Sequence, residues 1–231
     1  MNAALASKSA KTQKGEETRA LILNTALQLL EEHGYEKTTM RAIARTSGVS
    51  LGNAYHYFRS KEQLIQAFYH RTHEQHLAAS LPALETEIDL KGRLLAVTRL
   101  KISTLEPYHE FAAVLFKTAA DPHSPLSPFA PDSHHVRSES IRLFEDLVAG
   151  SKDRMPKDLR AELPYLLWLY HMGVILFWIH DASPKHVRTY RLIDYTVDLL
   201  DRLISLASNP LMLPVRKRAL KLVAELRDLG N

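Results

Sequence analysis

The sequence predicts an all-α protein with a small N-terminal helical domain and a larger helical body. Three observations carry this. Apolar residues recur at spacings of three and four along most of the 231 positions. No stretch alternates apolar and polar residues as a half-buried strand would. Gly and Pro fall between the periodic segments, where they act as breaks. With 45% hydrophobic residues the chain can bury a sizeable core, as one large domain or two smaller ones.

Residues 1–15 are small, polar and basic, with Lys8, Lys11 and Lys14. They read as a disordered tail, either a basic arm for phosphates or a solvated end. Residues 18–33 form the first firm helix, with Ile22, Ala26, Leu29 and Leu30 as its core stripe. Gly34 is placed like a C′ residue, with Tyr35 folding back in the Schellman manner.

A helix-turn-helix follows. Met40, Ile43 and Ala44 line one face of a short helix, and Thr39 is a fitting N-cap for it. Gly48 breaks the helix, since Gly tolerates the positive φ such a turn requires. Val49 plugs the angle between the two helices. Ser50 caps the second helix, in which Leu51, Ala54 and Phe58 share one side; Tyr55 shares that side too and has an alternative packing role. Gly52, Asn53, His56 and Tyr57 point away from it. Two helices joined this way place the second in a DNA major groove. Asn bonds base edges, while Tyr and His bond phosphates. A Gly inside a helix costs about 1 kcal/mol relative to Ala, which close backbone approach to a partner would explain.

Residues 60–80 form a fourth helix with an S-x-x-Q capping box, Ser60 to Gln63, and a buried face of Leu64, Ile65 and Phe68. Lys61 lies in its first turn, where a cation opposes the helix dipole unless a phosphate lies near. The helix is long enough to link the two domains and to pass a tilt along. Further helices are predicted at 90–105, 111–119, 136–148, 159–179, 184–206 and 213–229. Between them, Pro122, Pro125, Pro128 and Pro131 recur every three residues, which predicts an extended loop of polyproline character over 121–135.

Composition excludes several classes. There is no Cys, so disulfides and thiolate zinc sites are ruled out, which suits the cytoplasm. No signal peptide is evident. The longest apolar run, 165–179, has Pro164 near its start and falls short of the roughly 20 residues of a membrane span, so it reads as a buried helix and no membrane partner is expected. Net charge is +4, with ten Lys/Arg against seven Asp/Glu up to residue 75, a modest excess in the direction of a polyanion partner. His134, His135, His123 and Asp121 hint at a metal cluster but fit a solvated loop better; His180 and Asp181 lack a nucleophile motif; the basic run 215–221 fits a solvated face. No Gly-rich phosphate loop follows a strand, and no cofactor, metal or catalytic residue is expected.

The run Tyr55-His56-Tyr57-Phe58, followed by Arg59-Ser60-Lys61-Glu62-Gln63-Leu64, resembles the signature of the TetR family of bacterial transcription regulators. The resemblance covers residues 18–69 and includes Gly34-Tyr35, Thr39, Gly48-Val49 and Lys61. It implies an all-helical homodimer: residues 16–69 as a three-helix helix-turn-helix DNA-binding domain, and 70–231 as a larger helical effector-binding and dimerisation domain. It also implies DNA contacts from Thr39, Arg41, Ser50, Leu51, Gly52, Asn53, Tyr55, His56, Tyr57 and Lys61. Arg41, Leu51 and Gly52 would lie nearest to bases; Thr39, Tyr55, Tyr57 and Lys61 would bind phosphates. Because Leu51 and Gly52 offer few polar atoms, readout would lean on Arg41, Asn53 and DNA shape.

In the body, the segment 165–179 is apolar on every side and must be covered all round. With the next helix, which carries Tyr190, Ile193, Val197, Leu200 and Ile204 at helical spacing, it would supply two of four helices in a dimer bundle. The other option is a monomer core. An effector pocket is mostly apolar with a few placed polar groups. Tyr108, Phe116, Phe144, Trp168, His171 and Met172 are the candidates, against ordinary core packing. His171 stands out because a lone imidazole in an apolar helix needs a partner. The function expected is a ligand-responsive regulator, a repressor released from a palindromic double-stranded operator by a small apolar or aromatic effector. The rival is a carrier or helical enzyme on the same dimeric scaffold.

Overall fold

The computed structural model describes residues 2–121 and 123–228. Among the described residues ten α-helices run in order: α1 Asn2–Lys37, α2 Met40–Thr46, α3 Leu51–Tyr57, α4 Lys61–Thr86, α5 Leu90–Leu105, α6 His109–Ala119, α7 His134–Ala149, α8 Lys157–Ile179, α9 Val187–Ser208 and α10 Leu213–Asp228. No strand occurs among the described residues. The chain divides into two compact units: residues 1–71 with 108–133, and 72–107 with 134–231.

The first unit is built on α1. The segment expected to be a disordered tail is helical and continuous with it. Its Ala- and Lys-rich composition explains the correction, since these residues lose little on entering a helix. α1 breaks at Gly34, with φ 78° and ψ 169°. That conformation belongs to a region open essentially only to Gly, not to the left-handed well of a Schellman cap. The Thr38 hydroxyl donates to the Leu29 and Gly34 carbonyl oxygens at 2.9 and 2.8 Å, which secures the exposed helix end.

Ile22, Leu23, Ala26, Leu29 and Leu30 of α1, Met40, Ile43 and Ala44 of α2, Ala54 and Phe58 at α3, and Leu64, Ile65 and Phe68 of α4 form one buried cluster. Phe111 and Leu115 of α6 and Leu126 join it. The Phe68 ring meets those of Phe111 and Tyr108 edge-on at 5.0 Å each. The N-terminal unit therefore includes residues 108–133, which the boundary at residue 69 left out.

Residues 121–133 are not an extended polyproline loop. They form a chain of turns, in which Ser124 donates to Asp121, Ser127 to Ser124, Ala130 to Ser127 and Ser133 to Ala130, all backbone bonds of 3.0–3.1 Å. Pro125, Pro128 and Pro131 each follow a turn's first residue, where a fixed φ near −65° favours the turn; Pro122 lies outside the described residues. Asp121, Ser124 and Ser127, each just before a proline, add a side-chain clasp: Asp121 Oδ1 accepts from His123 N, and the Ser124 and Ser127 hydroxyls accept from Leu126 N and Phe129 N. Spacing by three is thus the repeat of linked turns.

The second unit contains α5 and α7–α10 with the C-terminal part of α4, which runs to Thr86, six residues beyond expectation, despite Pro82 inside it. Arg93 is buried and donates to the carbonyl oxygens of Leu84, Glu87, Asp146 and Leu147, so one guanidinium serves the C-terminal ends of α4 and α7. Pro164 lies in the interior of α8 rather than near its start. α8 is long and apolar enough to cross a membrane, with 39% of the relevant window buried inside the protein.

Candidate nucleic-acid interface

Local chemistry fixes the helix-turn-helix. The Thr39 hydroxyl accepts from Ala42 N at 3.1 Å at the start of α2. The Ser50 hydroxyl accepts from Asn53 N at 3.1 Å at the start of α3. Each hydroxyl keeps its own proton to donate elsewhere. Gly48 adopts φ 71° in the turn, and Val49 packs against the core as its position demanded. Gln63 Oε1 reaches back to Arg59 N at 2.8 Å, while Gln63 N donates to Ser60 Oγ at 3.3 Å. The capping box at α4 therefore clasps the residue before the cap as well.

With Ala54 and Phe58 buried, α3 presents Gly52, Asn53, Tyr55 and His56 outward. Tyr55 is 46% exposed, so it is not the packing residue its neighbours suggested. Tyr57 is half-buried against the core, and the His56 ring meets its ring edge-on at 5.3 Å. Arg41 and Thr39 are exposed on α2 and its cap, and Leu51 is half-buried. A methyl group at Gly15 would stand 3.7 Å from the Tyr57 hydroxyl, so α1 passes beside this face.

Lys61 is not a free cation. Its ammonium donates to the Tyr35 carbonyl oxygen at 2.6 Å and lies 4.0 Å from the Tyr35 ring centre. This offsets its unfavourable place in the first turn of α4 without a phosphate. The Tyr35 hydroxyl donates to Glu62 Oε1. Burial and that partner push the Tyr35 hydroxyl well above its ordinary range. Burial would raise Glu62, but hydrogen bonds from Ser60 and Tyr35 hold it below the ordinary carboxylate value. Arg19 lies over the Phe58 ring at 4.9 Å. The sequence carried a signal for the Tyr35 contact: a carbonyl freed at a helix end and a lysine needing compensation.

The six candidate effector residues divide between the two units. Tyr108 and Phe116 belong to the first unit; Phe144, Trp168, His171 and Met172 belong to the second. Phe144, Trp168 and His171 are buried. The His171 ring takes the Phe144 ring edge-on at 5.3 Å and stacks on His76 at 5.6 Å. Sequence reading missed His76, Thr98 and Lys101, although Leu90, Leu94, Thr98, Lys101 and Leu105 share the inward stripe of α5. Among the described residues no group of three His, Cys or acidic side chains is arranged to hold a metal.

α8 and α9 each show an exposed apolar stripe. On α8 it is Leu169, Leu176 and Phe177; on α9 it is Tyr195, Leu199, Leu203 and Leu206. Ile193 and Val197 of the expected dimer stripe are buried in the protomer's own core instead.

Comparison with known proteins follows the same lines. A model of bacterial regulatory proteins of the tetR family matches residues 22–68, and one of the tetracyclin repressor-like C-terminal domain matches residues 93–223. The HTH-type transcriptional regulator UidR of Escherichia coli K12 is 43% identical over 61 residues, 26% of this chain and 31% of UidR. The match therefore spans less than a third of that relative's length. A TetR-family regulator from Syntrophomonas wolfei shares the fold, with TM-score 0.66 and 17% identity over 80% of this chain and 95% of that one. So does FadR of Bacillus subtilis, solved with stearoyl-CoA, with TM-score 0.61 and 16% identity over 77% and 96%. The C-terminal match alone covers more than half of the sequence, and the chain belongs to the TetR family of bacterial regulatory proteins.

Proposed function

We propose that this protein is a ligand-responsive transcriptional repressor that binds a palindromic DNA operator as a homodimer and leaves it when a small effector binds. One observation carries the DNA reading. α3 is capped at Ser50, anchored through Ala54 and Phe58, and turns Gly52, Asn53, Tyr55 and His56 to solvent. Such a helix fits a major groove, with Thr39, Tyr57 and Lys61 on flanking phosphates and Arg41, Leu51, Gly52 and Asn53 toward bases. Relatives named HTH-type transcriptional regulators support the same reading. A DNA partner of this kind suits a cytoplasmic protein.

Dimerisation rests on the apolar stripes of α8 and α9, which a second copy would cover to form a four-helix bundle. A two-fold pair would place its recognition helices about 34–36 Å apart, one turn of DNA. An effector favouring another spacing releases the operator. A hundredfold loss of affinity needs only about 2.7 kcal/mol of coupling. The effector is expected to have an apolar or aromatic body, which the buried Phe144 and Trp168 would suit.

A gel-shift assay with the DNA upstream of the protein's own gene tests the regulator against the carrier reading. A specific complex, competed by unlabelled operator and not by random DNA, supports the repressor. A protein that binds small molecules and no DNA is a carrier.

A further inference from the structure

The inward faces of α4, α5, α7 and α8 in the second unit carry polar groups that a helical core has no use for. Ser80 and Thr98 are fully buried, and their hydroxyl oxygens find no hydrogen-bond partner among the described residues. His171 is 4% exposed, and its Nδ1 is equally without one. A buried polar atom left unpaired costs about 1–3 kcal/mol, so these atoms call for an explanation. His76 of α4 joins the three helices that carry them. His76 Nε2 lies 2.9 Å from the Val97 carbonyl oxygen, beside Thr98, and the His76 ring stacks on His171. Ser80 follows His76 by one turn of α4.

Half-buried Lys101 lies one helical turn after Thr98 on the same face of α5. Burial pulls the Lys101 ammonium down to about 8. Burial also pulls His76 down to about 3 and His171 well below its ordinary value, with the Lys101 charge adding to both. No carboxylate pairs with Lys101 among the described residues. The nearby acid, Glu139, stands 3.3 Å from His135 and 3.9 Å from His73, and His73 meets the Ser140 hydroxyl at 3.3 Å. The fully buried cations are already used, Arg93 on four carbonyl oxygens and Arg216 on Asp158 and the Ala207 carbonyl oxygen.

We infer that the effector is an organic acid, whose carboxylate meets Lys101, the Thr98 hydroxyl and the His171 imidazole while its apolar body lies against Phe144. This deepens the proposed function and rests on it for the consequence of binding. One ammonium, one hydroxyl and neutral imidazoles match a single negative charge. A phosphate dianion or a nucleotide would call for more cations than the cluster offers. Placing a carboxylate beside Lys101 gives the half-buried cation a counter-ion and the orphaned donors an acceptor.

Isothermal titration of the full-length protein with decanoate and 4-phenylbutyrate, each against its methyl ester, tests this. The acid should bind at least about tenfold tighter than its ester, the discrimination a charge-assisted contact supplies. Binding at pH 8 should take up protons, seen as an enthalpy that varies with the ionisation enthalpy of the buffer, because the carboxylate returns a proton to Lys101. Lys101→Met should raise the melting temperature of the unliganded protein and erase both the acid preference and the proton uptake. Thr98→Val, a milder change, should weaken the acid and spare the ester. Equal binding of acid and ester, no binding of either acid, or a preference that survives Lys101→Met would overturn the inference. DNA selection on the same sample keeps the two readings apart. A chosen operator without acid binding leaves the repressor and removes the acid. Lys101-dependent acid binding without any chosen DNA leaves the acid site and removes the repressor.

Discussion

The Lys61 ammonium donates to the Tyr35 carbonyl oxygen at 2.6 Å, tying the first turn of α4 to the segment just after the break in α1. The same bond holds the cation at the flank of the helix-turn-helix, pre-placed for a phosphate at little cost in side-chain entropy. Lys61→Ala should weaken binding to every DNA sequence alike. It should also reduce the slope of log K against log salt by about 0.9, the share of one phosphate. Tyr57→Phe removes a neutral donor, so it should lower affinity and leave the slope unchanged. Fluorescence anisotropy over a salt series reads both.

Gly34 should be intolerant of any side chain although there is room for one. An added Cβ would meet nothing within 4 Å, so the cost lies in the backbone at φ 78° and ψ 169°. Gly34→Ala should destabilise the protein by about 1–3 kcal/mol. Gly48→Ala, at φ 71°, should cost about 1–2 kcal/mol for its left-handed turn. Urea denaturation measures both, and a neutral Gly34→Ala would show that the break relaxes.

Stability should vary with pH in two windows. His76 and His171 have folded values below the ordinary histidine range, so the unfolded chain binds more protons as pH falls. Their contribution is complete above about 6.5 and is lost below it, before the carboxylates titrate. Lys101 is lowered to about 8, so between about 8 and 10 the unfolded state again holds the extra proton and stability rises with pH. Above about 10 the raised hydroxyls of Tyr35 and Tyr69 reverse the trend, because the unfolded tyrosines lose protons first. Melting temperatures across pH should show the alkaline rise in the parent and not in Lys101→Met.

The exposed stripe of α9 gives a direct test of the dimer. Leu199 is 54% exposed between Tyr195 and Leu203. Leu199→Glu should raise the dimer dissociation constant by about thirtyfold or more, the effect of a 2 kcal/mol hot spot. Unchanged sedimentation behaviour would move the interface elsewhere.

Most helices were legible because apolar spacing and caps agree locally: Thr39, Gly48, Ser50 and Ser60 each act as their residue type dictates. α5 was read to the residue. What escaped depends on long-range contacts or on competing local rules. Residues 2–15 look soluble by composition, yet their helix propensity prevails. Prolines at every third position can mean polyproline or linked turns, and the Asp and Ser before three of them decide for turns. That α6 joins the first unit could not be read from Phe111 and Leu115, whose spacing names a buried face and not the partner. In the candidate site, the outward face of α3 was legible, while the Tyr35–Lys61 bond needed the fold. Lys101 lay on a visible stripe, but a single lysine there reads as a solvated break until its neighbours are known.

Hydroxyl-radical footprinting of an operator, selected from random DNA by the full-length protein, tests the central claim most directly. Two equivalent protected patches should appear about 10 base pairs apart, related by two-fold symmetry. Arg41→Ala should keep the protection but lose about 1–3 kcal/mol of discrimination between bases in each half-site. Failure to select any sequence, or a single asymmetric patch unaffected by Arg41→Ala and Lys61→Ala, would contradict the account.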